Sequence, residues 1–113
     1  MEKRVYEENP LPFEECASVG VSTTIMRFNV TETEEGFECD EVEFNHKEPL
    51  TESDYSRLVA FLVREKYTSD DVEAIQQNYA ESKTAKHKAE FAELKEWRAA
   101  AKSMAREVLG IEV

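Results

Sequence analysis

Glycine, proline and cysteine are scarce in this chain, which has three glycines, three prolines and two cysteines among 113 residues. With so few glycines it contains no glycine-rich loop of the kind that cradles phosphates. Cys16 and Cys39 are too few for a disulfide scaffold, so we expect two reduced thiols in a cytoplasmic protein. Neither His46 nor His87 has a partner at the spacing of a metal site. The sequence therefore predicts no cofactor, no metal and no catalytic residues.

Long apolar runs and an excess of basic residues are absent as well. No apolar run reaches the roughly 18 residues of a transmembrane helix, and the charged first ten residues lack the apolar core of a secretory signal. The chain carries 25 acidic against 14 basic residues, for a net charge of −11. Because affinity for nucleic acid depends on neutralising phosphates with Lys and Arg, we expect neither nucleic acid nor a membrane as a direct partner.

The negative charge is concentrated in the first half of the chain. Residues 1–50 have thirteen acidic and four basic residues, a net charge of −9, whereas residues 51–113 have a net charge of only −2. The eight carboxylates between Glu32 and Glu48 do not follow the ligand spacing of an EF-hand calcium loop. We interpret this acidic stretch as a solvated face, with a metal site or a catalytic carboxylate pair as the alternative.

The N-terminal half predicts a flexible arm followed by a β-hairpin over residues 19–46. Residues 1–18 include two prolines and show no sustained period, so we expect an extended or flexible arm. Residues 19–31 and 37–44 are rich in β-branched and aromatic residues, and Gly36 suits a turn with positive φ between them. In both runs the apolar positions change parity, near residues 25–26 in the first. In the first run this change indicates either a β-bulge or a strand that is buried on both faces, and in the second run it indicates a one-residue slip.

The C-terminal half, residues 52–109, predicts three helices over about 52–66, 69–82 and 83–109. Thr68 or Ser69 suits the N-cap of the second helix, and Gly110 suits the end of the third. The first helix has apolar residues on more than one face, so we expect it to be the most buried. The predicted fold is α+β: an N-terminal β-hairpin of two antiparallel strands followed by three α-helices, in a single domain over 19–113.

One apolar stripe follows the third helix with a heptad-like spacing of three and four residues. It is either part of the protein's own core or a candidate interaction surface, including a seam between copies in a homo-oligomer. Basic residues on the same helix are typical of a solvated face. Their positive charge is opposite in sign to that of the acidic hairpin, so the two could attract each other within a chain or between chains. The stripe consists of Phe91, Leu94, Trp97, Ala101, Met104 and Val108.

Two segments resemble the helical half of small accessory proteins from phage and prophage tail regions. Residues 58–75, Leu-Val-Ala-Phe-Leu-Val-Arg-Glu-Lys-Tyr-Thr-Ser-Asp-Asp-Val-Glu-Ala-Ile, resemble the helix, the capped turn and the Ala-Ile helix of those proteins. Residues 91–102, Phe-Ala-Glu-Leu-Lys-Glu-Trp-Arg-Ala-Ala-Ala-Lys, resemble the aromatic helix that follows. The likeness extends over residues 55–106. It departs from the family at residues 76–78, Gln-Gln-Asn, where an Arg-Gln or Arg-Asn pair is common. The family pattern includes no catalytic residues.

The hypothesis that follows is a non-enzymatic protein–protein interaction module. The resemblance implies a tail accessory or assembly protein in the cytoplasm of a bacterial host, or associated with the virion, with tail components or further copies of itself as partners. The charge of residues 1–50 supports an alternative, an acidic mimic that blocks a nucleic-acid-binding protein. A small hydrolase or metal-binding protein is the second alternative.

Overall fold

The computed structural model describes residues 1–111. The chain divides into two compact units, Met1–Thr51 and Glu52–Val113. The first unit is an antiparallel β-sheet and the second contains three α-helices, which confirms the predicted α+β class and the order of its halves. Among the described residues, no helix is both long and apolar enough to cross a lipid bilayer.

The sheet unit has four strands, so the prediction of a two-stranded hairpin was incomplete. The third and fourth strands form the predicted hairpin, and two further strands lie within residues 1–18, where we predicted an extended or flexible arm. All neighbours are antiparallel, and the strand order is β1-β4-β3-β2. The strands are β1 (Glu2–Tyr6), β2 (Phe13–Ser18), β3 (Val21–Thr33) and β4 (Gly36–His46).

The two strands that the sequence did not reveal are the edge strands, and ion pairs help to hold one of them. In β1, Lys3 Nζ lies 3.3 Å from Glu38 Oε1 and 3.2 Å from Asp40 Oδ1, both on β4. Charged side chains are common on edge strands because they discourage pairing with other chains. Such strands lack the apolar alternation by which a strand is recognised in a sequence. The two prolines of this region lie between β1 and β2, outside the ladders.

The central strands β3 and β4 are buried on both faces. Met26 and Val42 pair across the ladder and are almost inaccessible to solvent, and so is Cys39, which lies on the opposite face. The pairing runs without a shift through residues 25–26, so no β-bulge lies at that point, and β4 has no extra residue, so the slip predicted within residues 37–44 was wrong. Burial on both faces, the other interpretation, explains the change of parity.

A β-bulge does occur in β3, but it lies further along the chain. The register shifts between Phe28 and Thr31, where β3 has one residue more than β4, and Asn29 has a φ of 54°. A residue with positive φ is typical of some bulges. The hairpin turn follows the prediction more closely, because Gly36 has a φ of 134°.

The helical unit contains the three predicted helices with nearly the predicted bounds. They are α1 (Tyr55–Arg64), which follows a 3₁₀ turn (Glu52–Asp54), then α2 (Ser69–Glu81) and α3 (Ala85–Leu109). The predicted cap of α2 is a complete capping box, in which the Thr68 hydroxyl accepts from the amide of Asp71 and the Asp71 carboxylate accepts from the amide of Thr68. Gly110 ends α3 in the left-handed region, as predicted.

Helix α3 packs against both α1 and α2. The indole Nε1 of Trp97 donates a 3.0 Å hydrogen bond to the backbone carbonyl oxygen of Leu62 on α1. Nearer the N-terminus of α3, the ring of Phe91 stacks on the ring of Tyr79 of α2, with ring centroids 4.1 Å apart and planes 8° from parallel. These two contacts join α3 to α1 and to α2.

Candidate docking groove on the helical unit

The apolar stripe of α3 is largely buried in the folded chain. Leu94, Trp97, Ala101 and Met104 are buried, whereas Phe91 and Val108, near the two ends of the stripe, are half-buried. An outside partner therefore has little access to the middle of the stripe. The accessible apolar surface of this unit lies elsewhere.

An open groove of about 560 Å³ lies among the three helices of this unit. Its apolar walls come from α1, from the turn between α1 and α2, and from the first turn of α2. The five large aliphatic and aromatic side chains in these walls are half-buried, so each keeps part of its surface accessible. These residues are Tyr55, Val59, Val63, Tyr67 and Val72.

Helical periodicity explains why α1 contributes three of these walls. Tyr55, Val59 and Val63 are spaced by four residues and therefore lie on one face of the helix. Leu58 and Leu62, one residue before Val59 and Val63, are buried. The width of the apolar surface on α1 was visible in the sequence as a signal of burial. In the structure one part of that surface is buried and the adjacent part lines the groove.

Three basic side chains complete the groove, and its lining has no acidic residue. Arg98 and Lys102 are four residues apart on α3 and so lie on the same face, while Arg64 ends α1. Within residues 1–111 none of the three forms an ion pair with a carboxylate. Other cations of the unit do: Arg57 Nη2 lies 2.9 Å from Asp54 Oδ1. In a chain with a net charge of −11, this is a local patch of positive charge.

The polar side chains of the described lining are two serines, two tyrosines and three cations. Hydroxyl groups are present at Ser56 and Ser69, but the described lining contains no histidine or carboxylate to act as their base. Burial raises the pKa of Tyr67, and the negative charge of Glu93 raises it further, so this phenol stays neutral. Elsewhere in residues 1–111, no group of three or more His, Cys, Asp or Glu side chains is placed to hold a metal ion.

A second polar cluster lies in the sheet unit and centres on the buried side chain of Arg27. Its Nε donates to Glu41 Oε1 at 3.1 Å, and its Nη2 donates to Glu14 Oε2 at 2.5 Å. The hydroxyl of Tyr6 also donates to Glu41 Oε1, at 2.5 Å. Every strand of the sheet contributes one of these four side chains. The cluster was not recognisable in the sequence, because its members are separated by up to 35 residues.

The interactions within this cluster keep Arg27 positively charged and the Tyr6 phenol neutral. Burial opposes the positive charge of Arg27, yet hydrogen bonds to Glu14 and Tyr6 raise the pKa of the guanidinium above its ordinary value. The hydrogen bond to the Glu41 carboxylate, and then burial, raise the pKa of Tyr6. No side-chain nitrogen or oxygen buried in the described chain lacks a hydrogen-bond partner. The cluster thus acts as a structural clamp across the sheet.

Comparison of the chain with protein-family models, with curated proteins and with solved structures gave no match.

Proposed function

We propose that the protein is a non-enzymatic protein–protein interaction module, and that the groove of the helical unit is its docking surface. The observation that carries this proposal is the lining of the groove. Five large apolar side chains lie beside three cations that make no ion pair within residues 1–111. Arginine and tyrosine are also among the residues that contribute most strongly to protein interfaces.

The partner that fits this lining presents an apolar side chain with carboxylates on either side of it. The apolar group would enter between Val59, Val63 and Val72, and the carboxylates would pair with the cations of α1 and α3. Such pairing raises the association rate and orients the partner, and it makes binding sensitive to salt.

The setting we propose is the assembly of a phage or prophage tail, with the chain as an accessory or assembly protein. The support for this setting is the resemblance over residues 55–106. That range includes every lining residue of the groove, from Tyr55 to Lys102.

Charge reversal provides the test. We would measure binding of the chain to purified tail proteins encoded beside it, using wild type, a groove variant (Arg98→Glu with Lys102→Glu) and a matched control (Lys86→Glu with Lys88→Glu). Both double variants lie on α3 and change the net charge by the same amount, but only the first changes the groove. We expect the groove variant to bind at least tenfold more weakly and the control to bind like wild type. Failure of wild type to bind any of these proteins, or equal losses in both variants, would overturn the proposal.

A second candidate function is an acidic mimic that occupies the basic groove of a nucleic-acid-binding protein. The observation in its favour is the net charge of −9 on residues 1–50. Glu32, Glu34 and Glu35, around the β3–β4 turn, are all exposed. This function predicts that the chain releases nucleic acid from a basic partner at low salt, and that reversing these three charges abolishes the release. Competition that is unchanged by the triple variant would exclude it.

A further inference from the structure

We infer that the groove of one copy takes the loop between β1 and β2 of a second copy, with Leu11 as the apolar group that enters it. This inference rests on the proposed function, because it names the occupant of the same groove. The occupant is then part of the chain itself, and the assembly it builds is a homo-oligomer.

The loop has the chemistry that the groove requires. Leu11 is a large apolar residue that is 61% exposed, so most of its side chain is available to enter a pocket of another chain. The carboxylates of Glu7 and Glu8 precede it and that of Glu15 follows it, and all three side chains are exposed. An exposed leucine between exposed carboxylates is complementary to an apolar groove with Arg64, Arg98 and Lys102 in its lining.

The sheet holds this loop in a fixed conformation. The Nη1 of Arg27 donates a 2.8 Å hydrogen bond to the carbonyl oxygen of Leu11, and the amide of Arg27 donates to the carbonyl oxygen of Pro12 at 2.9 Å. Pro10 and Pro12, on either side of Leu11, further restrict the backbone. The loop therefore loses little conformational freedom on docking, and pre-organisation of this kind strengthens binding.

The two surfaces are different parts of the chain, so the contact is head-to-tail. Each copy has one groove and one loop, and each can therefore join two neighbours. A head-to-tail contact closes into a ring or continues as an open chain of copies, according to the rotation between neighbours. Negative charge on the loop and positive charge on the groove also oppose the wrong pairings, loop to loop and groove to groove.

Mixing two complementary variants tests this arrangement. One variant (Leu11→Ser) has a defective loop and an intact groove; the other (Arg98→Glu with Lys102→Glu) has a defective groove and an intact loop. We would measure molar mass by light scattering over a range of protein concentrations at low and high salt, after circular dichroism has shown that both variants are folded. We expect wild type to associate, as a ring of two or more copies or as an open chain of copies, less so in high salt, and each variant alone to stay monomeric. An equimolar mixture is expected to form a dimer and nothing larger, because only one intact loop and one intact groove can meet.

Each other outcome overturns the inference. These outcomes are a wild type that stays monomeric, oligomers that survive both changes, or a mixture that stays monomeric. A monomeric wild type that still binds tail proteins through Arg98 and Lys102 would refute self-docking alone and leave the proposed function standing. Loss of that binding as well would refute both.

Discussion

Arg27 Nη1 donates a hydrogen bond of 2.8 Å to the carbonyl oxygen of Leu11, sixteen residues earlier in the chain. The same guanidinium pairs with Glu41 through Nε and with Glu14 through Nη2. One buried side chain therefore stabilises the sheet and holds the loop that we propose as a docking element. Stability and binding should both respond when Arg27 is changed.

Replacing Arg27 by methionine is expected to destabilise the chain strongly. It leaves the Glu41 carboxylate, 6% exposed, with the half-exposed Arg4 as its remaining cation, whose Nε lies 3.2 Å from Glu41 Oε2. Breaking a buried ion pair by removing one partner costs about 3–5 kcal/mol in the free energy of unfolding, and the remaining pair with Arg4 places the expected loss near the lower end of that range. Arg57→Met is the matched control, since its pair with Asp54 is much more exposed and such pairs contribute less than about 1 kcal/mol. Urea unfolding measures both, and equal losses would refute the clamp.

The Tyr6 hydroxyl should make stability depend on pH in the alkaline range. Its pKa is raised in the folded chain, so its hydrogen bond to Glu41 stabilises fully below the ordinary tyrosine value of about 10. That stabilisation is lost as the pH rises towards and through the folded-state pKa. The reason is that the phenol has the lower pKa in the unfolded chain, so high pH favours the unfolded, deprotonated form. Thermal unfolding of Tyr6→Phe should therefore show a smaller alkaline loss than wild type. Cys39 and Tyr67 titrate in both proteins, so identical curves would contradict the assignment.

Gly36 is expected to tolerate substitution less well than Gly20. Both have positive φ, but a Cβ on Gly36 would lie 2.3 Å from the carbonyl oxygen of Tyr6, whereas a Cβ on Gly20 meets no atom within 4 Å. Gly20→Ala should cost about 1 kcal/mol for its left-handed backbone. Gly36→Ala should cost more, up to about 3 kcal/mol, because backbone strain is joined by a clash with an edge strand. Chemical unfolding of the two variants compares the costs directly.

Replacing leucine by alanine should affect stability differently at a buried and at an exposed position. Leu94→Ala removes a fully buried side chain from α3 and should destabilise the chain by about 2–5 kcal/mol. Leu11→Ala removes an exposed side chain and should change stability by no more than about 0.5 kcal/mol. If Leu11→Ala destabilised the chain as strongly, the residue would have a structural role and could not be free to dock.

The sequence predicted the parts of the fold that depend on local signals. The bounds of α2 and α3, the cap at Thr68 and the terminator Gly110 follow from local chemistry, and the structure confirms them. Strands β1 and β2 were missed because edge strands with charged side chains are stabilised by pairing with distant residues. Lys3 finds its acidic partners more than thirty positions later in the chain.

The candidate site was predictable only in part, for a related reason. The apolar width of α1 was visible, and so were the basic residues of α3. Their meeting in one groove depends on how α3 packs against α1, through contacts such as that of Trp97 with Leu62. The Leu11 loop was hidden in the same way, because its order depends on Arg27, a residue of another strand.

The most direct test of the account is a titration of the monomeric Leu11→Ser variant, whose groove is intact, with a peptide of residues 6–15 of the wild-type chain, followed by NMR of the valine methyl groups. The matched control is the same peptide with its four glutamates replaced by lysine. We predict that the acidic peptide shifts the methyl signals of Val59, Val63 and Val72, leaves those of Val19 and Val30 in the sheet unit unchanged, and loses its effect in high salt, while the lysine peptide has none. If neither peptide shifts the groove signals, or both shift them equally, the groove does not recognise an apolar residue flanked by carboxylates.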